Sequence, residues 1–219
     1  MAASSSNPDA PHSLDRGSLV AAEHGRITDV SHASYHHSQL TWDGGKLGDE
    51  DLITVTSTGD DANEQIIWSL APVDPASDPS QASFQLRKTT ASSLPPDFLE
   101  KHRFQALPDH LDPETHSIYV IVSTRSGTGL ALDFFHEILH PLLRAIGLAD
   151  SRYEVIQTEN AESVKTFAKS TLLDGANQGK KQTLVLLSGD GGIVDTVNGL
   201  LDRRDKLRYF FPVLALSTY

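Results

Sequence analysis

Cysteine is absent from this sequence, methionine occurs once, and aromatic residues make up only 7% of the 219 positions. Without thiols the chain can form no disulfide, no thiolate metal site and no cysteine nucleophile. No apolar run approaches the roughly 20 residues that a membrane-spanning helix needs, and residues 1–8 lack the apolar core of a signal peptide. We therefore expect a cytoplasmic protein.

Positive charge is also scarce, since 18 Lys and Arg residues stand against 29 Asp and Glu residues and the formal net charge is −11. Such an acidic balance argues against binding to a nucleic-acid backbone and against simple electrostatic adhesion to an anionic membrane. We expect no nucleic-acid partner, and any membrane contact should be peripheral.

The amino-terminal part divides by composition into three segments. Residues 1–17 are rich in Ser, Pro, Ala and Asp, which predicts a disordered tail. Residues 18–94 contain short β-prone runs between turn clusters, which predicts a small β-rich accessory region. Residues 95–116 are punctuated by proline and read as a linker with a short helix around 97–103.

From Ser117 onward, apolar strand-like runs alternate with amphipathic helical segments. The predicted strands are 118–122, 153–156, 184–187 and 213–216. The predicted crossover helices are 130–146, in which Pro141 should produce a kink, and a second helix capped by Thr158 or Asn160. Four strands joined by helical crossovers indicate an α/β fold with a doubly wound parallel sheet.

The stretch from Leu184 to Gly199 carries the clearest chemical signal. Gly189, Gly191 and Gly192 follow a buried strand, and such a turn allows backbone N–H groups to approach a phosphate at a helix start. Asp190 lies in the same turn, where a carboxylate is compatible with a triphosphate if Mg²⁺ lies between them. The alternative is an ordinary strand–turn–helix in which Asp190 is a helix N-cap.

The helix after this turn is predicted to bury one apolar face, formed by Ile193, Val194, Val197, Leu200 and Leu201. A second glycine-bearing turn, Ser123-Thr-Arg-Ser-Gly-Thr-Gly129, follows the first strand of the sheet. Both turns should lie at the carboxyl edge of the sheet, where open α/β sheets bind ligands. Together the two turns predict a nucleotide pocket.

At these residues the chain resembles the diacylglycerol kinase catalytic domain family, which includes sphingosine (long-chain-base) and ceramide kinases. The Ser126-Gly127 pair is similar to the end of the family's Asn-Pro-x-Ser-Gly turn. Residues 188–192, Ser-Gly-Asp-Gly-Gly, resemble its Gly-Gly-Asp-Gly-Thr signature, and Asp195 and Asn198-Gly199-Leu200 follow at the family's spacing. Thr158-Glu159 and Pro141-Leu142-Leu143 look like two further family elements. The resemblance covers about residues 118–215.

The resemblance implies a phosphofructokinase-like, Rossmann-like nucleotide domain over residues 117–219 that binds ATP and Mg²⁺. The nucleotide would contact Ser126, Gly127, Thr158 and residues 189–192, with Asp190 as the catalytic and metal-binding residue. The implied reaction is transfer of the γ-phosphoryl group to the hydroxyl of a lipid, either a sphingoid base or diacylglycerol.

Several positions depart from the family pattern. The Asn-Pro pair is missing, Ser188 replaces a glycine, Gly192 replaces a threonine, and Asp195 replaces a glutamate. The family continues beyond the fourth strand into a lipid-binding β-sandwich, so we expect this chain to be a truncated form with little or no lipid kinase activity of its own. A nucleotide-binding or regulatory fragment that has lost the chemistry is the non-enzymatic alternative.

Three other interpretations compete with a lipid kinase. Residues 136–140, His-Glu-Ile-Leu-His, satisfy the HExxH zinc-protease pattern, but a helical wheel places both histidines on a solvated polar flank. His32, His36 and His37 could bind a metal, although their surroundings are typical of a solvated loop. NAD kinases and phosphofructokinases share the Gly-Gly-Asp-Gly element and would keep the fold with another acceptor.

Overall fold

The protein is described from a computed structural model that covers residues 12–13, 29–30, 32–58, 61–73, 84–124, 129–158, 160–201 and 213–216. The chain divides into two compact units. The β unit comprises Ala21–Ala106 and His136–Gly147. The α/β unit comprises Met1–Val20, Leu107–Phe135 and Leu148–Tyr219. Each unit has its own buried apolar cluster.

The strands are numbered along the chain. In the β unit they are β2 (Asp29–Val30), β3 (Ser34–His36), β4 (Gln39–Trp42), β5 (Gly45–Gly48), β6 (Leu52–Thr58), β7 (Asp61–Pro72) and β8 (Phe84–Ala91). In the α/β unit they are β1 (His12–Ser13), β9 (His116–Ser123), β10 (Glu154–Thr158), β11 (Lys181–Leu187) and β12 (Val213–Leu216).

Six α-helices are described. They are α1 (Pro96–His102), α2 (Ala131–Phe134), α3 (His140–Ala145), α4 (Ala161–Phe167), α5 (Leu173–Asn177) and α6 (Asp190–Leu201). Two π-helical segments, Phe135–Leu139 and Ala168–Leu172, join α2 to α3 and α4 to α5. Short 3₁₀ turns occupy Asp109–Leu111 and Asp150–Arg152. None of the described helices is both long and apolar enough to span a membrane.

The β unit consists of a three-stranded sheet, β3-β4-β5, and a four-stranded sheet in the order β2-β8-β7-β6. Its core includes Leu40, Val55, Ile67 and Phe98, each no more than 1% exposed. Phe98 comes from α1, which begins with proline at its first positions, where a missing N–H costs nothing. The helix lies within the segment predicted as a linker, and it packs into the core of this unit.

A polar cluster also holds α1 to the three-stranded sheet. Tyr35 donates to both carboxylate oxygens of Asp49 at 3.1 and 2.8 Å. From α1, Lys101 reaches Asp49 at 2.6 Å and His102 reaches it at 3.1 Å. Burial opposes ionisation of Asp49, but hydrogen bonds from Lys101 and Tyr35 outweigh it and hold the pKa of this carboxyl below its ordinary value.

The α/β unit is built on a sheet with the strand order β1-β10-β9-β11-β12. The last four strands in this order are mutually parallel, and β1 is added antiparallel to β10 at one edge. The predicted parallel α/β sheet is therefore present. β12 has the predicted bounds, β9 and β11 begin two and three residues earlier than predicted, and β10 begins one residue later and ends two residues later. Of the tail predicted to be disordered, only His12–Ser13 belongs to the described residues.

Small residues rather than large ones line the buried face of α6. Gly192, Thr196 and Gly199 are buried, whereas Ile193, Val194 and Val197 are 43%, 56% and 44% exposed. The predicted inward face is thus wrong for these three apolar residues, and only Leu200 reaches the core. The reason is close packing against α4, because a Cβ on Gly199 would lie 2.6 Å from the carbonyl oxygen of Lys165.

The helix that carries the HExxH pattern is interrupted at the motif. A π-helical segment covers residues 135–139, and α3 follows directly with Pro141 as its second residue. Proline can neither donate a backbone hydrogen bond nor fit beneath a regular preceding turn. The prediction that both histidines are solvated is wrong for His140, which is fully buried. Because a π-turn contains an additional residue, it advances later side chains by about 100° relative to the helical wheel.

Candidate functional site at the carboxyl edge of the parallel sheet

The direction of chain travel across the sheet reverses at β9. From β9 the chain crosses to β10 on one side, and it then returns past β9 to β11 on the other. The ends of these strands are in register, because Ser123 pairs with Thr158 and Val122 pairs with Leu187. The turns after β9 and β11 therefore leave neighbouring strands at the same edge, which is the topological switch point where α/β sheets bind ligands.

The first turn is anchored to the end of β10. The backbone N–H of Thr124 donates to the Thr158 carbonyl oxygen at 3.0 Å, and the Thr124 hydroxyl donates to the same oxygen at 3.2 Å. Thr158 is 1% exposed, and its buried hydroxyl has no hydrogen-bond partner among the described residues. Such a group is satisfied when a polar ligand binds beside it. Ser126 and Gly127 lie outside the described residues, so their contact with a nucleotide stays a prediction.

The second turn leads directly into α6, a helix of 12 residues. Ser188 donates its hydroxyl to the Gly189 carbonyl oxygen at 2.9 Å, and the N–H of Gly192 donates to the same oxygen at 3.0 Å. Gly191 is exposed, and a Cβ added there would meet no atom within 4 Å. The positive end of the α6 dipole therefore faces an open position at the carboxyl edge, which favours an anion.

The side chain of Ser188 leaves no room for a side chain at residue 192. A Cβ built on Gly192 would lie 2.7 Å from the Cβ of Ser188 and closer still to its Oγ. Ser188 itself is 5% exposed and has little room to move. The two departures from the family pattern are therefore coupled, because the side chain at residue 188 occupies the space that a side chain at residue 192 would need.

The fit to Mg²⁺ and ATP rests on the described groups at this edge. Asp190 is placed as the first residue of α6, while its carboxylate lies outside the described part of the chain. Within the described residues, no group of three or more His, Cys, Asp or Glu side chains could hold a metal ion. A helix start, an open glycine and an unsatisfied hydroxyl nevertheless suit a phosphate-bearing ligand, and the phosphate oxygens of such a ligand would themselves be ligands for Mg²⁺. The predicted roles of Gly189 to Gly192 stay predictions.

Sequence reasoning missed several residues that shape this edge. Thr124 joins the ends of β9 and β10, a role that no sequence pattern indicates. Thr196 is 1% exposed and donates its hydroxyl to the Gly192 carbonyl oxygen at 2.8 Å, which fixes the first turns of α6. The small residues at 192, 196 and 199 carry a helical spacing that could have revealed this face. Asn160, one of two predicted caps, caps α4 by accepting from the Ser163 N–H at 2.8 Å.

Comparison with known proteins finds a family match for the greater part of this sheet. Residues 117–215 match the sequence profile of the diacylglycerol kinase catalytic domain. Over these residues the chain is similar to the diacylglycerol kinase catalytic domain family. The match begins within β9 and ends within β12, so it covers the four parallel strands and both glycine turns.

Three curated relatives align with part of the chain. Sphingosine kinase 1 of Caenorhabditis elegans is 33% identical over 101 residues, and sphingosine kinase 1 of Homo sapiens is 31% identical over 93 residues. Sphingoid long-chain bases kinase 1 of Arabidopsis thaliana is 30% identical over 84 residues. These alignments include 46%, 42% and 38% of this chain but only 20%, 22% and 10% of the relatives. The chain thus spans about a fifth or less of the length of these relatives.

Proposed function

We propose that the α/β unit binds Mg-ATP at the carboxyl edge of its sheet and serves as the nucleotide-binding half of a lipid kinase. The proposal takes the fold to be phosphofructokinase-like and the acceptor to be the hydroxyl of a sphingoid base or diacylglycerol. The observation that carries it is the position of the two glycine turns, which follow adjacent strands at the point where the strand order reverses.

The residues at this edge would act by binding and positioning. Backbone N–H groups at the start of α6 and the hydroxyl of Thr158 would hold phosphate oxygens, with Ser126 and Gly127 closing the site from the first turn. Asp190 would orient Mg²⁺, which neutralises charge on the transferred phosphoryl group when it is bound. Catalysis would then rest on alignment of the γ-phosphoryl group with the acceptor hydroxyl.

The relatives support a lipid acceptor over the acceptors of NAD kinases or phosphofructokinases, because all three are named as kinases of sphingosine or sphingoid bases. The exchange at Ser188 and Gly192 favours a second candidate, a nucleotide-binding or regulatory unit without catalysis. Glycine at residue 192 lacks the hydroxyl of the family's threonine in the first turn of α6. Serine at residue 188 instead carries a hydroxyl directly after β11.

A melting experiment with nucleotide tests binding separately from transfer. Mg-ATP should raise the melting temperature of the 219-residue chain, by an amount that grows with the logarithm of ligand concentration above the Kd. Asp190→Ala should remove this shift. Asp174→Ala is the matched control, because Asp174 is exposed on α5, near the start of β11 and so at the opposite edge of the sheet.

Transfer of labelled phosphate to sphingosine or diacylglycerol then separates the two candidates. We expect little or no transfer by this chain alone. Mg-ATP binding without transfer supports the non-catalytic candidate, while measurable, Asp190-dependent lipid phosphorylation establishes the kinase. Absence of any nucleotide-dependent shift in the unmodified chain contradicts both.

A further inference from the structure

The β unit contains a cavity of about 430 Å³ between the tip of the β4–β5 hairpin and one face of the four-stranded sheet. Its polar lining comprises Trp42, Lys46, Ser69, Gln85, Arg87 and Thr89. A volume of this size is within the range of small-molecule sites. None of these residues belongs to the nucleotide site proposed above.

Strand register explains why these side chains converge. In the β7–β8 pair, Ser69 lies opposite Arg87 and Ile67 lies opposite Thr89. Because side chains alternate between the two faces of a sheet, Gln85, Arg87 and Thr89 all point to the cavity side of β8. Lys88 lies between them in sequence and points to the other face, where its Nζ is 5.8 Å from the centre of the Trp68 ring.

The cavity is positively charged in a chain with a net charge of −11. Two of its described lining residues are cationic, and none is an aspartate or glutamate. Lys46 and Arg87 are both exposed, and neither forms an ion pair with any carboxylate in the described parts of the chain. Two unpaired cations that share one concave surface attract anions.

Trp42 adds a buried donor without a partner. Its indole Nε1 is inaccessible to solvent and makes no hydrogen bond to the described residues. The indole ring of Trp42 lies close to the glycine turn of the hairpin. A Cβ on Gly45 would lie 3.0 Å from the ring, and a Cβ on Gly44 would lie 3.6 Å from Nε1. The indole ring itself lines the cavity, so its fluorescence can report on a ligand that binds there.

We propose that this cavity binds the phosphoryl group of a small anion, either a free phosphate compound or the phosphorylated headgroup of a lipid. Arg87 supplies the planar guanidinium that pairs with two phosphate oxygens, and Lys46 adds a second positive charge. Ser69 and Thr89 are the neutral donors. The β unit is then an anion-sensing module, and this site does not depend on nucleotide binding by the α/β unit.

Titration of the full chain with inorganic phosphate tests the site through tryptophan fluorescence. The chain has two tryptophans, and Trp68 is not part of the cavity lining. In a Trp68→Phe background the signal therefore reports Trp42 alone. If this substitution prevents folding, calorimetric titration of the unmodified chain gives the same information. We expect saturable binding that weakens as salt is added, because the attraction is electrostatic.

Arg87→Gln and Lys88→Gln form the matched pair of variants. They remove the same charge from adjacent residues on opposite faces of β8. Arg87→Gln should weaken phosphate binding by at least about tenfold, the value of a charge-assisted hydrogen bond, while Lys88→Gln should change it by less than about twofold. Equal losses in both variants would show a diffuse charge effect and overturn the proposal. Phosphate held by the α/β unit would not respond to Arg87→Gln.

Vesicles distinguish the two sources of the phosphoryl group. The chain is mixed with phosphatidylcholine vesicles, with and without phosphatidic acid, and sedimented. Arg87-dependent binding to phosphatidic acid vesicles without binding of free phosphate identifies a lipid headgroup, and binding of free phosphate alone identifies a soluble ligand. Failure of both probes to bind overturns the proposal.

Discussion

The close approach of Ser188 to Gly192 predicts that the substitution Gly192→Ala destabilises the protein. In a regular helix, Gly→Ala is ordinarily stabilising by about 1 kcal/mol. At Gly192 the added Cβ would meet the Cβ of Ser188 at 2.7 Å. Because the position of a Cβ is fixed by the backbone, no rotamer change of Ser188 relieves this contact, and α6 must move away from the end of β11. Overpacking of this kind costs about 1–3 kcal/mol.

A double-mutant cycle measures this exclusion by denaturant unfolding. Ser188→Gly alone should lose about 1 kcal/mol, through one hydrogen bond to Gly189 and added chain entropy. In Ser188→Gly/Gly192→Ala both clashing atoms are gone, and the nearest remaining atom to the new Cβ is Leu186 Cδ2 at 3.3 Å. The double variant should therefore be more stable than the sum of the single variants implies, by about 1–3 kcal/mol.

Gly191→Ala is the control for this cycle, because the same helix gains a Cβ that meets nothing within 4 Å. It should be neutral or stabilising by up to about 1 kcal/mol. Additive losses in the cycle, or a stabilised Gly192→Ala, would refute the coupling and with it our explanation of the two departures from the family pattern.

Three further predictions concern stability. Gly199→Ala should destabilise the protein by about 1–3 kcal/mol, since its Cβ would press on the Lys165 carbonyl oxygen, and thermal unfolding measures the loss. Asn160→Ala should cost about 1 kcal/mol by removing the α4 cap, and an unchanged unfolding midpoint would contradict that role. The stabilisation from Asp49, whose pKa is lowered on folding, is complete above the unfolded-state value of about 3.9 and is lost as the pH falls through the folded-state pKa. Asp49→Asn should flatten the acid side of the stability profile.

Sequence periodicity was sufficient for β9 and β11 because the central residues of these two strands are buried on both faces of the sheet. The runs around Val120 and Leu186 are continuously apolar, and both lie at 0% exposure in the sheet. Strand order required the structure, since nothing local specifies that β11 returns to pair with β9. The positions of the glycine turns could be predicted, whereas their adjacency across the switch point could not.

The buried faces of helices were predicted less well, because the neighbouring elements against which a helix packs determine which side is buried. The pattern of Ile193, Val194 and Val197 indicates an apolar face, yet α6 turns its small residues toward α4 and leaves these three exposed. The helical wheel placed His140 on the solvated side for a different reason. The π-turn before Pro141 changes the angular position of the residues that follow it. The steric coupling between Ser188 and Gly192 could not be predicted either. Residues four apart in sequence come into contact here only because the first turn of α6 forms directly after Ser188.

Backbone amide NMR during titration with Mg-ATP tests the central claim most directly. If the turns after β9 and β11 form one nucleotide site, the resonances that shift should include Thr124, Thr158 and residues 188–192, and they should move together with a single Kd. The same residues should be unaffected by Mg-ATP in Asp190→Ala. Shifts confined to the β unit, or two turns that respond with different affinities, would contradict a shared site at the carboxyl edge of the sheet.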